Sequence, residues 1–207
     1  MTKQLTQEPL NIIICGVGGQ GNILASELLA SALVENDYMI TVGETYGASQ
    51  RGGSVMSHVR ISTATEYGVL IPRGEAHILV GFEPIETVRV AREYACKQTW
   101  VIFDPRPNYP LGVLIGEESY PTLESIEQEL KELCDRVWVL PATDIAIEAG
   151  NPQAANITLM GALTALPQLP LNSQDYDRVM EQRFKGSVLE LNRKVFKLGA
   201  DYIAEKI

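Results

Sequence analysis

The chain has 207 residues, of which 45% are hydrophobic and 21% are charged, and this composition is typical of one globular α/β domain with a sizeable core. The formal net charge of -9 argues against nucleic-acid binding, because neutralising phosphates requires a basic face. No apolar run approaches the roughly 18 residues that span a bilayer, so we expect no membrane partner.

Residues 1–10 are expected to form a loose leader, and residues 11–207 a single Rossmann-like domain. A buried strand is predicted at residues 12–15, followed by a glycine turn and a helix with an apolar stripe. The next strand is predicted at residues 38–42. Strand, helix and strand would form a β-α-β unit of the kind from which parallel sheets are built.

The glycine turn follows the first predicted strand directly. Gly16, Gly18 and Gly21 have the G-x-G-x-x-G spacing of a dinucleotide-binding turn, in which backbone approaches a phosphate at a helix N-terminus. The same turn can also be packing geometry with no ligand. Glu44, near the end of the second strand, could bind ribose hydroxyls, although we favour an acid that faces solvent.

A second glycine-rich stretch lies at residues 45–54, and its centre is Arg51. Such a loop, near the crevice where open α/β sheets bind ligands, predicts a functional arginine or a subunit contact. Arg51 could bind a carboxylate or phosphate with two hydrogen bonds. The alternative is a glycine-permitted turn with a solvated arginine.

The remaining elements follow from hydrophobic periodicity and from capping signals. Further strands are predicted at residues 55–62, 76–81, 100–103, 113–115 and 137–140. Helices are predicted at residues 85–97, 122–134, 143–149, 153–166 and 174–185, and a last one begins with a capping box of Ser187 and Glu190. The predicted fold class is α/β, with a mostly parallel sheet, helices on both faces and a C-terminal helical pair.

Cysteine and histidine usage predicts no metal site in this chain. Cys15, Cys96 and Cys134 lie far apart without a C-x-x-C pair, which argues against an iron–sulfur cluster or structural zinc. We expect small apolar fillers in a reducing compartment, and therefore a cytoplasmic protein. His58 and His77 lack partners at ligand spacing, so we expect hydrogen-bonded structural roles.

Two motifs at this separation resemble a known family. The chain reads G-V-G-G-Q-G at residues 16–21 and G-A-S-Q-R-G-G-S-V at residues 47–55, followed by S-H-V-R. It thereby resembles the gamma-type subunits of the 2-oxoacid:ferredoxin oxidoreductases, and most of all the subunit of the indolepyruvate enzymes. Phe82-Glu83-Pro84, residues 156–163 and residues 183–186 are also similar to that family.

The resemblance implies the oxidative decarboxylation of a 2-oxoacid to an acyl-coenzyme A. Thiamine diphosphate and iron–sulfur clusters on partner subunits would carry the chemistry, coenzyme A would be a co-substrate, and ferredoxin would accept the electrons. The chain would be a non-autonomous subunit, inactive alone. Its Gln-Arg-Gly-Gly sequence favours an arylpyruvate such as indolepyruvate as the substrate, and pyruvate, 2-oxoglutarate and branched-chain 2-oxoacids stay open.

The two motifs supply the candidate site. Gln50 and Arg51 are the candidates for shaping the substrate or coenzyme A side of the site. The candidate cofactor-binding residues are Gly16, Gly18, Gly19, Gln20, Gly21, Ser49, Gly52 and Gly53. Both segments would form one edge that faces the catalytic partner. A standalone NAD-dependent oxidoreductase, a non-catalytic scaffold subunit and a dimer of this chain stay open.

Overall fold

The fold comes from a computed structural model, which describes residues 5–47, 53–109 and 111–207. Six strands of these residues form one sheet: β1 (Leu10–Val17), β2 (Met39–Tyr46), β3 (Ser54–Ser62), β4 (Ile78–Gly81), β5 (Trp100–Phe103) and β6 (Arg136–Val139). The helices are α1 (Asn22–Glu35), α2 (Pro84–Tyr94), α3 (Leu111–Leu114), α4 (Leu123–Leu133), α5 (Ala142–Ala149), α6 (Ala155–Thr164), α7 (Ser173–Arg183) and α8 (Gly186–Ala204).

The strand order is β2-β3-β1-β4-β5-β6. β1, β4, β5 and β6 are parallel neighbours, whereas β3 is antiparallel to both β1 and β2. The α/β fold class is therefore confirmed, but the predicted pairing of the first two strands is wrong. A short connection joins β2 to β3 as an antiparallel pair, and β3, which is almost entirely buried, takes the inner position beside β1.

Helices cover both faces of the sheet, as predicted. Alternate residues of β1 point to opposite faces: Ile12 and Ile14 pack with α1 and α6, whereas Ile13 and Cys15 pack with α2 and α4. The C-terminal pair α7 and α8 belongs to the α1 face. The continuous apolar sequence of β1 is thus explained by burial on both sides.

Small residues bring α6 and α8 into backbone contact. A Cβ atom on Gly161 would lie 1.9 Å from the carbonyl oxygen of Phe196, and one on Gly199 would lie 2.0 Å from that of Thr158. The small-residue sequence predicted a helix packed closely against the sheet or a second subunit. α6 does pack against the sheet, and its glycine also brings it into backbone contact with α8 of the same chain.

Two local predictions are wrong. Residues 113–115 are not a strand: the chain turns through α3 there, because a three-residue apolar run carries no distinguishing periodicity. α8 begins at Gly186 without any side-chain cap, so the capping box predicted at Ser187 does not form. The capping box of this region is in α7, where Asn172 and Asp175 exchange hydrogen bonds.

The apolar spacing of α8 predicts an inner stripe of Val188, Leu191, Val195 and Leu198, and the observed inner face differs from it. Val195 is buried, but Val188 and Leu198 are exposed, and Phe196 and Ile203 fill the core instead. The apolar spacing fits both sets of residues, and packing against α6 selects the second. No helix among the described residues is long and apolar enough to cross a bilayer.

Both histidines have the expected structural role. The Nδ1 atom of His77 accepts the backbone N–H of Asn11 at 2.9 Å, and that of His58 accepts the N–H of Ile71 at 3.3 Å. Burial lowers the pKa of both rings, which favours the neutral form that can accept these bonds. No cluster of three or more His, Cys, Asp or Glu side chains that could hold a metal ion occurs in the described part of the chain.

Candidate functional site

A crevice opens between the carboxyl ends of β1 and β4. The chain leaves β1 through α1 on one face and leaves β4 through α2 on the other, so the connections diverge at this point of the sheet. Ligands of open α/β sheets bind where connections diverge in this way. A cavity of about 490 Å³ occupies the crevice, and its walls include Gly19, Gly21, Phe82, Asp104, Thr143 and Asn156.

The predicted glycine turn forms one rim of this crevice. Gly19 and Gly21 have φ angles of 105° and 87°, which L side chains rarely adopt. The N–H of Gly18 donates to the carbonyl of Gly53 at 2.8 Å, so the turn is joined to the start of β3. The described part of the second motif therefore lies beside the first, and the common edge of both whole segments stays a prediction.

Gln20 joins the ends of the two strands that border the crevice. Its Oε1 accepts the N–H of Val17 at 2.7 Å, and its Nε2 donates to the carbonyl of Phe82 at 2.8 Å. Gly16 makes room for this side chain, because a Cβ atom there would lie 2.6 Å from Oε1. Both polar atoms of the Gln20 amide are thus engaged by backbone, which makes Gln20 a residue that positions the turn.

The N-terminus of α1 opens toward the crevice without a side-chain cap. Gly21 is the N-cap residue, and a Cβ atom there would lie 2.3 Å from Nδ2 of Asn156, so α6 approaches the turn closely. The first turn of α1 carries no acidic residue. Its uncapped N–H groups and positive dipole end favour an anionic group at this rim.

A buried carboxylate lies on the opposite wall. Asp104 follows β5, is 2% exposed, and accepts the backbone N–H of Thr143 at 3.1 Å and that of Arg106 at 3.3 Å. The hydroxyl of Thr143 also donates to it. Burial raises the pKa of Asp104 to about 6, so this carboxyl group changes its protonation state near neutral pH.

Glu83 connects the crevice to the segment that follows Asp104. It is the N-cap of α2 and accepts the N–H of Glu86 at 2.8 Å. Its other oxygen accepts the N–H of Asn108 at 3.3 Å and the hydroxyl of Tyr120. Burial raises the pKa of the Glu83 carboxyl, and these donors offset part of that effect. Glu83 therefore holds the segment after Asp104 at two points, the N–H of Asn108 and the hydroxyl of Tyr120.

Glu44 is half-buried and is bonded to two hydroxyl groups. It lies within β2, where Oε1 accepts the hydroxyl of Ser26 at 2.9 Å and Oε2 accepts that of Ser57 at 2.7 Å. Because β3 separates β2 from β1, Glu44 is also one strand farther from the glycine turn than in a dinucleotide-binding fold. Glu44 is therefore not the freely solvated acid that we expected. It also does not lie beside the glycine turn, where an acid that binds ribose hydroxyls would be.

The structure brings part of the predicted site together. Gly16, Gly18, Gly19, Gln20, Gly21 and Gly53 lie around one turn. Ser49, Gln50, Arg51 and Gly52 lie outside the described residues, so their roles stay predictions. Sequence reasoning missed Asp104 and Thr143 as crevice residues. The position of Asp104 directly after the buried strand β5 was a usable signal. An acid in that position lies at the carboxyl end of a parallel strand, where ligands of such sheets bind.

Known proteins similar to this chain agree on its family. The family model described as "Pyruvate ferredoxin/flavodoxin oxidoreductase" matches residues 11–202. The indolepyruvate oxidoreductase subunit IorB of Pyrococcus horikoshii is 37% identical over 198 residues, which cover 95% of this chain and 97% of the relative.

Two solved structures share the fold. The gamma subunit of a keto/oxoacid ferredoxin oxidoreductase from Geobacter sulfurreducens has a TM-score of 0.68 at 22% identity, with 95% of this chain and 99% of that chain covered. The 2-oxoglutarate:ferredoxin oxidoreductase from Magnetococcus marinus has a TM-score of 0.74 at 20% identity. There, 97% of this chain corresponds to only 32% of a longer chain. By its sequence match over nearly its whole length, this chain belongs to the pyruvate ferredoxin/flavodoxin oxidoreductase family.

Proposed function

We propose that this chain is the small, non-autonomous subunit of an indolepyruvate-type 2-oxoacid:ferredoxin oxidoreductase of the cytoplasm. The assembled enzyme would oxidatively decarboxylate an arylpyruvate to an acyl-coenzyme A and pass the electrons to ferredoxin. The observation that carries the proposal is the 37% identity to IorB over almost the full length of both chains. The G-V-G-G-Q-G and Q-R-G-G motifs, which we expect to form one edge, support it.

The redox cofactors belong on a partner subunit in this proposal. A four-iron cluster needs four cysteine ligands, whereas this chain has three cysteines, of which Cys15 and Cys134 are buried in the core. Burial raises the pKa of Cys134 to about 11, which opposes the thiolate form that binds iron. The residues of this chain therefore do not fit a cluster, and we assign thiamine diphosphate to the partner as well.

The crevice fits an anionic co-substrate at its turn side. The uncapped N-terminus of α1 and the open space above Gly19, where a Cβ atom would meet no atom within 4 Å, support a phosphate-bearing group there. We propose that this edge forms the coenzyme A side of the assembled site. Gln50 and Arg51 would contribute from the adjoining loop.

Arg51→Ala tests this placement in the assembled complex. We expect the KM for coenzyme A to rise at least tenfold, because a bidentate charged contact is lost, with Arg51→Lys recovering only part. Arg73→Ala, at an exposed ion pair elsewhere, is the matched control. Unchanged turnover and KM in Arg51→Ala would remove this residue from the site.

Anaerobic affinity purification of the tagged chain from its native cells tests the function itself. We expect a larger partner in fixed stoichiometry, with iron and thiamine diphosphate in the eluate and turnover that prefers indolepyruvate within a panel of 2-oxoacids. Recovery of the chain alone, without either cofactor, would contradict the proposal. A preference for pyruvate or 2-oxoglutarate would keep the subunit role and refute the arylpyruvate assignment.

A further inference from the structure

The strand β2 is an edge of the sheet. It pairs only with β3 among the strands of the described residues, so one side of its eight-residue backbone is unpaired there. An unpaired row of N–H and C=O groups is a template on which another chain can add a strand. We call β2 and the exposed apolar residues that flank it the β2 edge.

Exposed apolar side chains concentrate at the β2 edge. Met39, Val42 and Tyr46 of β2 are 45%, 37% and 60% exposed. The segment after β3 crosses one face of β2: the hydroxyl of Thr41 donates to the carbonyl of Tyr67, and a Cβ atom on Gly43 would lie 2.7 Å from the carbonyl oxygen of Val69. That segment adds two further exposed apolar side chains, Val69 and Leu70.

The β2 edge lacks the usual protection against pairing. Lysine, proline and inward-pointing charge are the common devices that keep edge strands apart. Residues 10–50 contain no lysine, arginine or proline. The only charged residue of β2, Glu44, is held by Ser26 and Ser57. A long apolar edge without lysine or proline is suited to permanent coverage.

Charge decides between a second copy and a different partner. No basic residue occurs in residues 22–47, on the α1 side of the β2 edge. None occurs in residues 63–71, on its opposite side. Their acidic residues are Glu27, Glu35, Asp37, Glu44 and Glu66. Arg183 and Arg178 of α7 lie within 4.0 Å of Glu27 and Glu35 and offset their charge. Two copies meeting here would still bring together the formal negative charges of Asp37, Glu44 and Glu66, which opposes association. A partner with a basic rim would be attracted.

We infer that the β2 edge docks an extended apolar segment, flanked by lysine or arginine, of the larger catalytic subunit. The inference rests on the proposed function, which supplies that subunit. It is supported by the Magnetococcus marinus oxidoreductase, in which a unit of the same fold is about a third of a longer chain and so adjoins further polypeptide. Strand addition would supply backbone hydrogen bonds, while Val42 and Tyr46 would be buried.

The test measures binding of the purified larger subunit to this chain and to two double variants. Val42→Lys with Tyr46→Lys places two lysines on the β2 edge, and Val188→Lys with Leu198→Lys places the same charge on exposed positions of α8. Circular dichroism and thermal melting confirm that each variant folds. We expect the β2 variant to lose at least tenfold in affinity and the α8 variant to bind as the wild type does.

Three results would overturn the inference, and they are distinguishable. Equal binding of both variants and wild type would show that the β2 edge is not the docking surface. A wild-type dimer in light scattering that the β2 variant abolishes would assign the edge to a second copy. Absence of any wild-type complex would refute the proposed function and, with it, this interface. Amide hydrogen exchange adds a direct readout, since β2 should become protected only in the complex.

Discussion

Removal of the Gln20 side chain tests whether this residue holds the two strand ends at the crevice together. Gln20→Ala leaves the N–H of Val17 and the carbonyl of Phe82, both in buried residues, without their partner. Each unsatisfied buried backbone group costs about 1–3 kcal/mol, so the loss of both partners should lower the free energy of unfolding by roughly 2–6 kcal/mol. Gln20→Glu keeps the acceptor but not the donor, and should lose about half as much.

Urea unfolding of the isolated chain, followed by circular dichroism, measures this loss. Gln128→Ala is the control, because that side chain bonds only to Glu132 on the exposed face of α4 and should change stability by less than about 0.5 kcal/mol. A Gln20→Ala variant as stable as this control would refute the positioning role. Equal effects of the Ala and Glu variants would instead assign the whole loss to the bond with Phe82.

Three further predictions concern the crevice and the core. Burial raises the pKa of Asp104 to about 6, so the native state binds this proton more tightly than the unfolded chain does. The free energy of unfolding should therefore fall by roughly 2.4 kcal/mol as the pH rises from 4 to 7, and Asp104→Asn should remove that slope in urea titrations. Tyr120→Phe deprives Glu83 of a donor and should cost about 1–2 kcal/mol, with faster proteolysis between Asn108 and Tyr120. Gly161→Ala forces α6 away from α8 and should cost at least 1–3 kcal/mol in thermal melts, whereas Gly68→Ala, with open space around it, should be harmless. A flat pH dependence, unchanged proteolysis or equal melting of the two glycine variants would contradict the respective argument.

Most helices and strands were predictable from the sequence because their hydrophobic periodicity agreed with their capping and turn residues. Thr122 caps α4 and Gly150 ends α5 in the left-handed conformation, as their residue types indicate. The strand order was not predictable in the same way. The residues of β2 do not indicate that β3 lies between β2 and β1. That order depends on how the β2–β3 pair as a whole is buried.

The candidate site was predicted in part for a similar reason. Glycine spacing located the turn, since only glycine tolerates the φ angles at Gly19 and Gly21. The partners across the crevice, such as Asp104, come from distant segments and are joined only by the parallel pairing of β4 and β5. Single-sequence reasoning lacks that pairing, which is why the second wall of the crevice was missed.

The most direct test of the central claim is anaerobic reconstitution from separately purified subunits. Indolepyruvate-dependent reduction of ferredoxin in the presence of coenzyme A is measured for the larger subunit alone, for this chain alone and for the mixture. We expect turnover only in the mixture, with saturation at a fixed stoichiometry. Full turnover by the larger subunit alone would contradict this expectation and would leave this chain as a scaffold.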